Sequence, residues 1–195
     1  MSGTDNPGGK HPEEKSSGTG PGRRIILIRA VNVGGAKLPM AELREMATEL
    51  GATDVSTYIA SGNLVCAPPG DPDHFDRALE TAITTRYGYF REVISRSPDE
   101  VRTALEAHPF EVVDDRFSYI HFLVAEPDPS RVAAFEQQDF GADVHRVIGR
   151  DLHIRYHSGA GRSKLTASAI ARGLGVQGTA RNLRTVRSLL DLAES

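Results

Sequence analysis

The sequence predicts an α+β fold of two subdomains, and three observations predict it. Between Arg23 and Ser95 the patterning runs strand, helix, strand, strand, helix, strand, the ferredoxin-like order. After a helix that starts at Ser97, the order from Tyr119 onward is strand, helix, strand, strand, helix, then a final helix, a partial echo of the first half. The chain has 195 residues, 39% of them hydrophobic, which suits one domain or two small halves with modest cores. Helices are expected on one face of each antiparallel sheet. The expected boundaries are a disordered tail over 1–22, one subdomain over 23–96 and a second over 97–195.

Each element has its own signal. The tail consists of Gly, Ser, Pro, Lys and Glu with little apolar surface to offset chain entropy. Ile25-Ile26-Leu27-Ile28 is apolar on both faces, as a central covered strand would be. Pro39 suits a first helical position, and Leu43, Met46, Ala47 and Leu50 follow as an apolar stripe closed by Gly51. Val55–Ala60 is a strand, Ser61-Gly62-Asn63 a hairpin turn, and Leu64–Ala67 the return strand. His74–Gly88 carries a helical stripe, and Tyr89–Ser95 is a fourth strand. Ser97 caps a helix with Pro98 at its first position, and the helix must stop before His108-Pro109.

In the second half Tyr119–Ala125 is a strand and Pro129–Gln138 a helix. Asp143–Ile148 and Leu152–Tyr156 form a hairpin about Gly149-Arg150-Asp151. A helix over Ser163–Arg172 is capped by Ser163. Gly173, Gly175 and Gly178 read as a loop, and Asn182–Ala193 as the last helix.

Charge narrows the function classes. The net charge is −3, but nine basic residues and one acid lie between Arg146 and Arg187, a local +8 against −11 elsewhere. An anionic partner, or neutralisation between the halves, would explain this asymmetry. Nucleic acid is disfavoured: the chain is acidic overall, and Tyr156 is the lone aromatic of the basic stretch. No run of 18 apolar residues exists, so no membrane span is expected. The absence of an apolar signal-peptide core and the single Cys66 point to the cytoplasm. No cofactor is expected. The histidines lack metal-ligand spacing, so no metal is expected either.

Two clusters could hold a phosphate. Asn32, Gly34, Gly35 and Lys37 form a glycine-paired loop after the first strand. It lacks the P-loop and Rossmann patterns and could equally be a simple turn. Ser163-Lys164 resembles an anion nest, and Arg181-Asn182 begins another helix. Two such helix starts could converge on one anion, with Arg181 making a bidentate contact. A carboxylate from the first half could fill that place instead. Arg181, Arg184 and Arg187 share one face of the expected last helix. His153, Arg155 and His157 share one strand face, most simply the solvent side.

The segments Arg29-Ala30-Val31-Asn32-Val33-Gly34-Gly35, Met40-Ala41-Glu42-Leu43, Gly51, Thr57-Tyr58-Ile59-Ala60-Ser61-Gly62-Asn63, His108-Pro109-Phe110, Ser163-Lys164-Leu165-Thr166 and Thr179-Ala180-Arg181-Asn182 together resemble the bacterial family DUF1697. The resemblance spans about residues 24 to 192. It implies a two-subdomain α+β fold and no established activity, substrate or cofactor. Ala30 stands where the family pattern usually has glycine, and Leu183 where an aromatic is common. The motif residues Arg29, Ser61 and Asn63 join Asn32, Gly34, Gly35, Lys37, Ser163, Lys164, Arg181 and Asn182 as candidate ligand contacts. The expected function is binding of a phosphate-bearing small ligand such as a nucleotide. The alternative is a non-catalytic scaffold or self-associating protein whose polar motifs are caps and contacts between the halves. The sequence names no catalytic residue and leaves the oligomeric state open.

Overall fold

The computed structural model describes residues 22–31 and 37–195. The tail over 1–21 and the loop containing Asn32, Gly34 and Gly35 lie outside the described residues. The first half comprises β1 (Arg24–Ile28), α1 (Met40–Glu49), β2 (Thr53–Thr57), β3 (Asn63–Ala67), α2 (Pro72–Tyr87) and β4 (Val93–Arg96), followed by α3 (Pro98–Glu106). The second comprises β5 (Ser118–Leu123), α4 (Pro129–Glu136), β6 (Val144–Ile148), β7 (Asp151–Arg155), α5 (Ala167–Leu174), β8 (Gly178–Asn182) and α6 (Leu183–Glu194). The fold is therefore α+β, with two four-stranded antiparallel sheets and six helices among the described residues.

The sheet orders are β2-β3-β1-β4 and β6-β7-β5-β8. They correspond strand for strand, so the second half repeats the first completely. Its fourth strand, β8, starts at Gly178, the end of the expected glycine loop, and runs to Asn182, the expected start of the last helix. Gly175 is the left-handed C-cap of α5, and Gly178 already pairs with Leu123 of β5. Polar Thr179, Arg181 and Asn182 gave this edge strand no apolar alternation by which to recognise it.

Both sheets are covered on both faces, not one. Ile26 and Ile28 join Leu64, Cys66 and Val93 under α1 and α2. Ile25, Leu27, Val65 and Ile94 point the other way, into a shared central core. There they meet Ile120 and Phe122 of β5, Val101 and Ala104 of α3, and Leu183, Val186 and Leu189 of α6. The far side of the second sheet carries a third core of Leu123, Phe135, Leu152, Ile154, Ile170 and Leu174. Each such buried side chain contributes about 1.5–3 kcal/mol relative to exposure. The central layer forms because α3 and α6 follow the last strand of each half and pack on one another. The uninterrupted apolar run of β1 is thus explained by burial on both faces.

Helix starts follow local chemistry. Ser97 and Glu100 form a reciprocal capping box at α3. Asp71, Asp128, Thr166 and Asn182 cap α2, α4, α5 and α6 with their side chains.

Ala30 follows β1 with φ +53°, a left-handed conformation that costs a Cβ-bearing residue ~1–2 kcal/mol. Ala30→Gly should raise the urea-unfolding free energy by about 0.5–1 kcal/mol, the relief of strain exceeding the added chain entropy. A fall in stability would contradict this description of the backbone.

Candidate functional site

Arg181 is the first residue to place, because it touches both halves. It stands opposite Ile120 in the β5–β8 ladder, on the face turned toward the first sheet. It is 9% exposed. Among the described residues no carboxylate accompanies it. Nε donates to Asn63 Oδ1 at 2.5 Å, and Nη1 to Thr179 Oγ1 at 2.7 Å and the Ala180 carbonyl at 2.9 Å. Nη2 donates to the carbonyls of Ser61 at 2.9 Å, Ile28 at 3.2 Å and Gly62 at 3.4 Å. Every guanidinium nitrogen is thus engaged within the protein. Burial alone pushes its pKa down to about 10, so it remains a cation at neutral pH.

The receiving turn is shaped for this. Asn63 is fully buried, and its Nδ2 donates to the Tyr58 carbonyl at 3.1 Å and Ser61 Oγ at 2.9 Å, which leaves Oδ1 facing Arg181. Gly62 has φ +73°, and a Cβ there would lie 2.8 Å from Val31 Cγ2. The segments Ser61–Asn63 and Thr179–Arg181 therefore meet directly through the Arg181 side chain, and among the described residues no carboxylate stands between them. Arg181 belongs to β8 and not to the last helix, so it shares no helical face with Arg184 and Arg187. Asn182 accepts from Thr185 N at 2.9 Å as the cap of α6.

Ser163 and Lys164 lie elsewhere. The chain makes a 3-10 turn over Ala160–Arg162, and α5 starts only at Ala167, with Thr166 as cap. Ser163 Oγ instead donates to Asp143 Oδ2 at 2.5 Å and accepts from Leu165 N at 2.8 Å. Ser163, Lys164, Arg162 and His157 line a cavity of about 200 Å³. Ala142 and His157 also border a larger cavity of about 560 Å³, lined by Arg155 and by apolar Val113, Phe117 and Tyr156. The two make one groove beside the end of β7. Arg155, Arg162 and Lys164 have no ion-pair or side-chain hydrogen-bond partner among the described residues. The acids nearby are engaged. Asp114 is bound by Arg116 at 2.7 Å, and Asp143 accepts from His157 N at 2.7 Å as well as from Ser163.

The remaining candidates separate. Arg29 pairs with Glu92 at 3.1 Å. Lys37 is exposed, and its carbonyl accepts from Tyr89 Oη at 2.8 Å. Among the described residues no group of three or more His, Cys, Asp or Glu could hold a metal ion, and no helix is long and apolar enough to cross a membrane.

Similarity to known proteins can be set against this geometry. The sequence profile described as "Protein of unknown function (DUF1697)" matches residues 22–153, about two thirds of the chain. The chain belongs to the DUF1697 family. A solved structure of a conserved bacterial protein from Streptococcus pneumoniae is 25% identical, with a TM-score of 0.69, covering 88% of this chain and 98% of that one. No curated protein matches.

The DUF1697 chain also buries a histidine that its sequence placed on the surface. His153 is fully buried, because β7 turns that face toward the central layer and not toward solvent. Its Nδ1 lies 3.2 Å from Nδ1 of His108, so one imidazole donates to the other, and neither Nε2 has a partner. Burial, then His108, pushes the His153 pKa down to about 4. Burial, then Arg187 and Arg155, lowers that of His108. His121, 2% exposed, is pushed down to about 4 by burial, Arg29 and Arg181. A histidine at an inward position of the otherwise apolar strand Tyr119–Leu123 was the signal that could have singled it out.

These shifts set a pH dependence. An unfolded histidine takes up its proton near pH 6.5, whereas buried His121 and His153 wait until about 4. Their contribution to stability is thus lost as pH falls from 6.5 to 4. Asp76 and Asp151 are raised by burial to about 6, so they add stability as pH falls from about 6 toward 3.8, in opposition. His153→Gln removes one destabilising proton uptake. The stability lost between pH 8 and pH 5 should shrink by about 2 kcal/mol, read from urea unfolding at both pH values. An unchanged difference would contradict the burial of a neutral His153.

Proposed function

We propose that the protein binds a phosphate-bearing small molecule, such as a nucleotide, in the groove formed by Arg155, His157, Arg162, Ser163 and Lys164. The observation that carries this reading is the set of three cations without counter-ions beside an apolar wall. The combined volume falls in the range of ordinary ligand sites, and Val113, Phe117 and Tyr156 suit the apolar part of a ligand. Arg155 supplies a planar fork for phosphate oxygens and Lys164 a point charge. No reaction is assigned to it.

A second reading has support from Arg181. Its engagement with Ser61, Gly62 and Asn63 makes those motifs structural, as in a non-catalytic scaffold. We further infer that each half is a ferredoxin-like subdomain, divided near Ser97, because both sheets carry the same order around a central first strand. The buried, single Cys66 suits a cytoplasmic protein.

Thermal-shift titrations with ATP, AMP and glucose 6-phosphate at ~150 mM salt test the groove. At least one of them should raise the melting temperature. Arg155→Ala and Lys164→Ala should each weaken that ligand about 10-fold while leaving the unliganded protein within ~0.5 kcal/mol of wild type. No shift with any of the three, or a shift that both variants retain, favours the scaffold.

A further inference from the structure

A second cavity, of about 370 Å³, lies where the end of β1, the start of β8 and the start of α5 come together. Its walls are mainly apolar, with Tyr156, Leu165 and Ile170 continuous with the third core. Three polar features face it. Arg29 lines it and uses one guanidinium nitrogen on Glu92. Thr166 and Ala167 bring the N-terminus of α5 to its edge. Because Thr166 Oγ1 caps the Ala169 N–H, the N–H groups of Ala167 and Ser168 have no intrahelical partner and present the positive end of the helix.

The third feature is His121. It lines the cavity, is almost wholly buried, and has no hydrogen-bond partner among the described residues. The ring packs closely on Gly178, where an added Cβ would come within 2.5 Å of its Cδ2 and 2.6 Å of its Nε2. With that edge against the glycine and no hydrogen bond from its ring, His121 is arranged like a ligand contact. At neutral pH it is uncharged, so it offers an N–H without adding positive charge.

The charge available selects the ligand. Glu92 already offsets Arg29, so the cavity offers a helix N-terminus and a partly neutralised cation. That suits a single negative charge. A phosphate dianion would lose more hydration than these groups return. The volume equals roughly a dozen waters at ~30 Å³ each, room for a ring or a short branched chain. We propose that this cavity binds a small apolar monocarboxylate, with its carboxylate between Arg29, His121 and the N-terminus of α5 and its hydrocarbon against Tyr156, Leu165 and Ile170.

This site is separate from the groove, and its test does not depend on the groove being occupied. Benzoate and isovalerate are titrated into the ¹⁵N-labelled protein, with benzyl alcohol and inorganic phosphate as controls. The amides of Ala167, Ser168 and Thr179 should shift saturably with at least one of the carboxylates and with neither control. Arg29→Met should weaken binding about 10-fold or more. Ala160→Phe, at an exposed position on the cavity wall, should abolish binding by filling the space while the melting temperature stays put. Lys164→Ala should change nothing. Absence of saturation by either acid up to ~10 mM, equal binding of benzyl alcohol, tighter binding of phosphate at the same amides, or carboxylate binding unaffected by Ala160→Phe would each overturn the proposal.

Discussion

A buried guanidinium without a carboxylate is the constraint on which the two halves depend. Removing a cation from water costs several kcal/mol even after relaxation, and here no Coulombic partner offsets it. What offsets it is a set of oxygen dipoles at hydrogen-bond distance, contributed by the first half as the carbonyls of Ile28, Ser61 and Gly62 and the amide of Asn63. Those oxygens can converge only if the turn after β2 folds back tightly. Ile59 at φ +47° and Gly62 at φ +73° make it do so. The turn and the arginine are therefore interdependent: the cation fixes the turn, and the turn is the cation's solvation shell.

The same contact fixes what surrounds it. By anchoring β8 to the β1–β3 side of the first sheet, Arg181 holds the edge of the second sheet beside the end of β1. Arg29 and His121 consequently border one cavity although 92 positions separate them. At β4, on the far edge of the first sheet, Arg96 plays a related part. It is 3% exposed, donates to the Leu123 carbonyl at 2.7 Å and lies 3.8 Å from Asp151. Two buried arginines, one from each half, thus reach into the opposite sheet, with α3 and α6 packed in the central layer. The charge asymmetry of the sequence goes partly into such contacts and partly into the groove of Arg155, Arg162 and Lys164, which Asp114 and Asp143 also line.

Much of this was legible in the sequence where periodicity or capping chemistry is local. The doubly apolar run of β1, the stripe of α1, the capping residue Ser97 and the turn at Ser61–Asn63 could all be read directly. What could not be read depends on partners far along the chain. β8 has no apolar alternation, because its inward side chains are Thr179 and Arg181, whose burial makes sense only with Asn63 in place. His153 looks like a surface residue until α3 and the His108 loop cover its face. Ser163 has the chemistry of a helix cap, but Asp143 and the Leu165 N–H claim its hydroxyl, and Thr166 takes over the cap. Arg181 was expected to meet a bound anion or a carboxylate of the first half, and it meets neutral amide oxygens instead. That the oxygens would be backbone carbonyls was not legible, since carbonyls leave no mark on a sequence.

A double-mutant cycle between Arg181 and Asn63 tests the central interaction most directly. Unfolding free energies would be measured for wild type, Arg181→Met, Asn63→Ala and the double variant. If the Arg181 cage joins the halves as described, each single change is strongly destabilising and the two couple by about 1.5–3 kcal/mol. Losses that add to within ~0.5 kcal/mol would show that the two side chains act independently, and the cage would not be what holds the halves together.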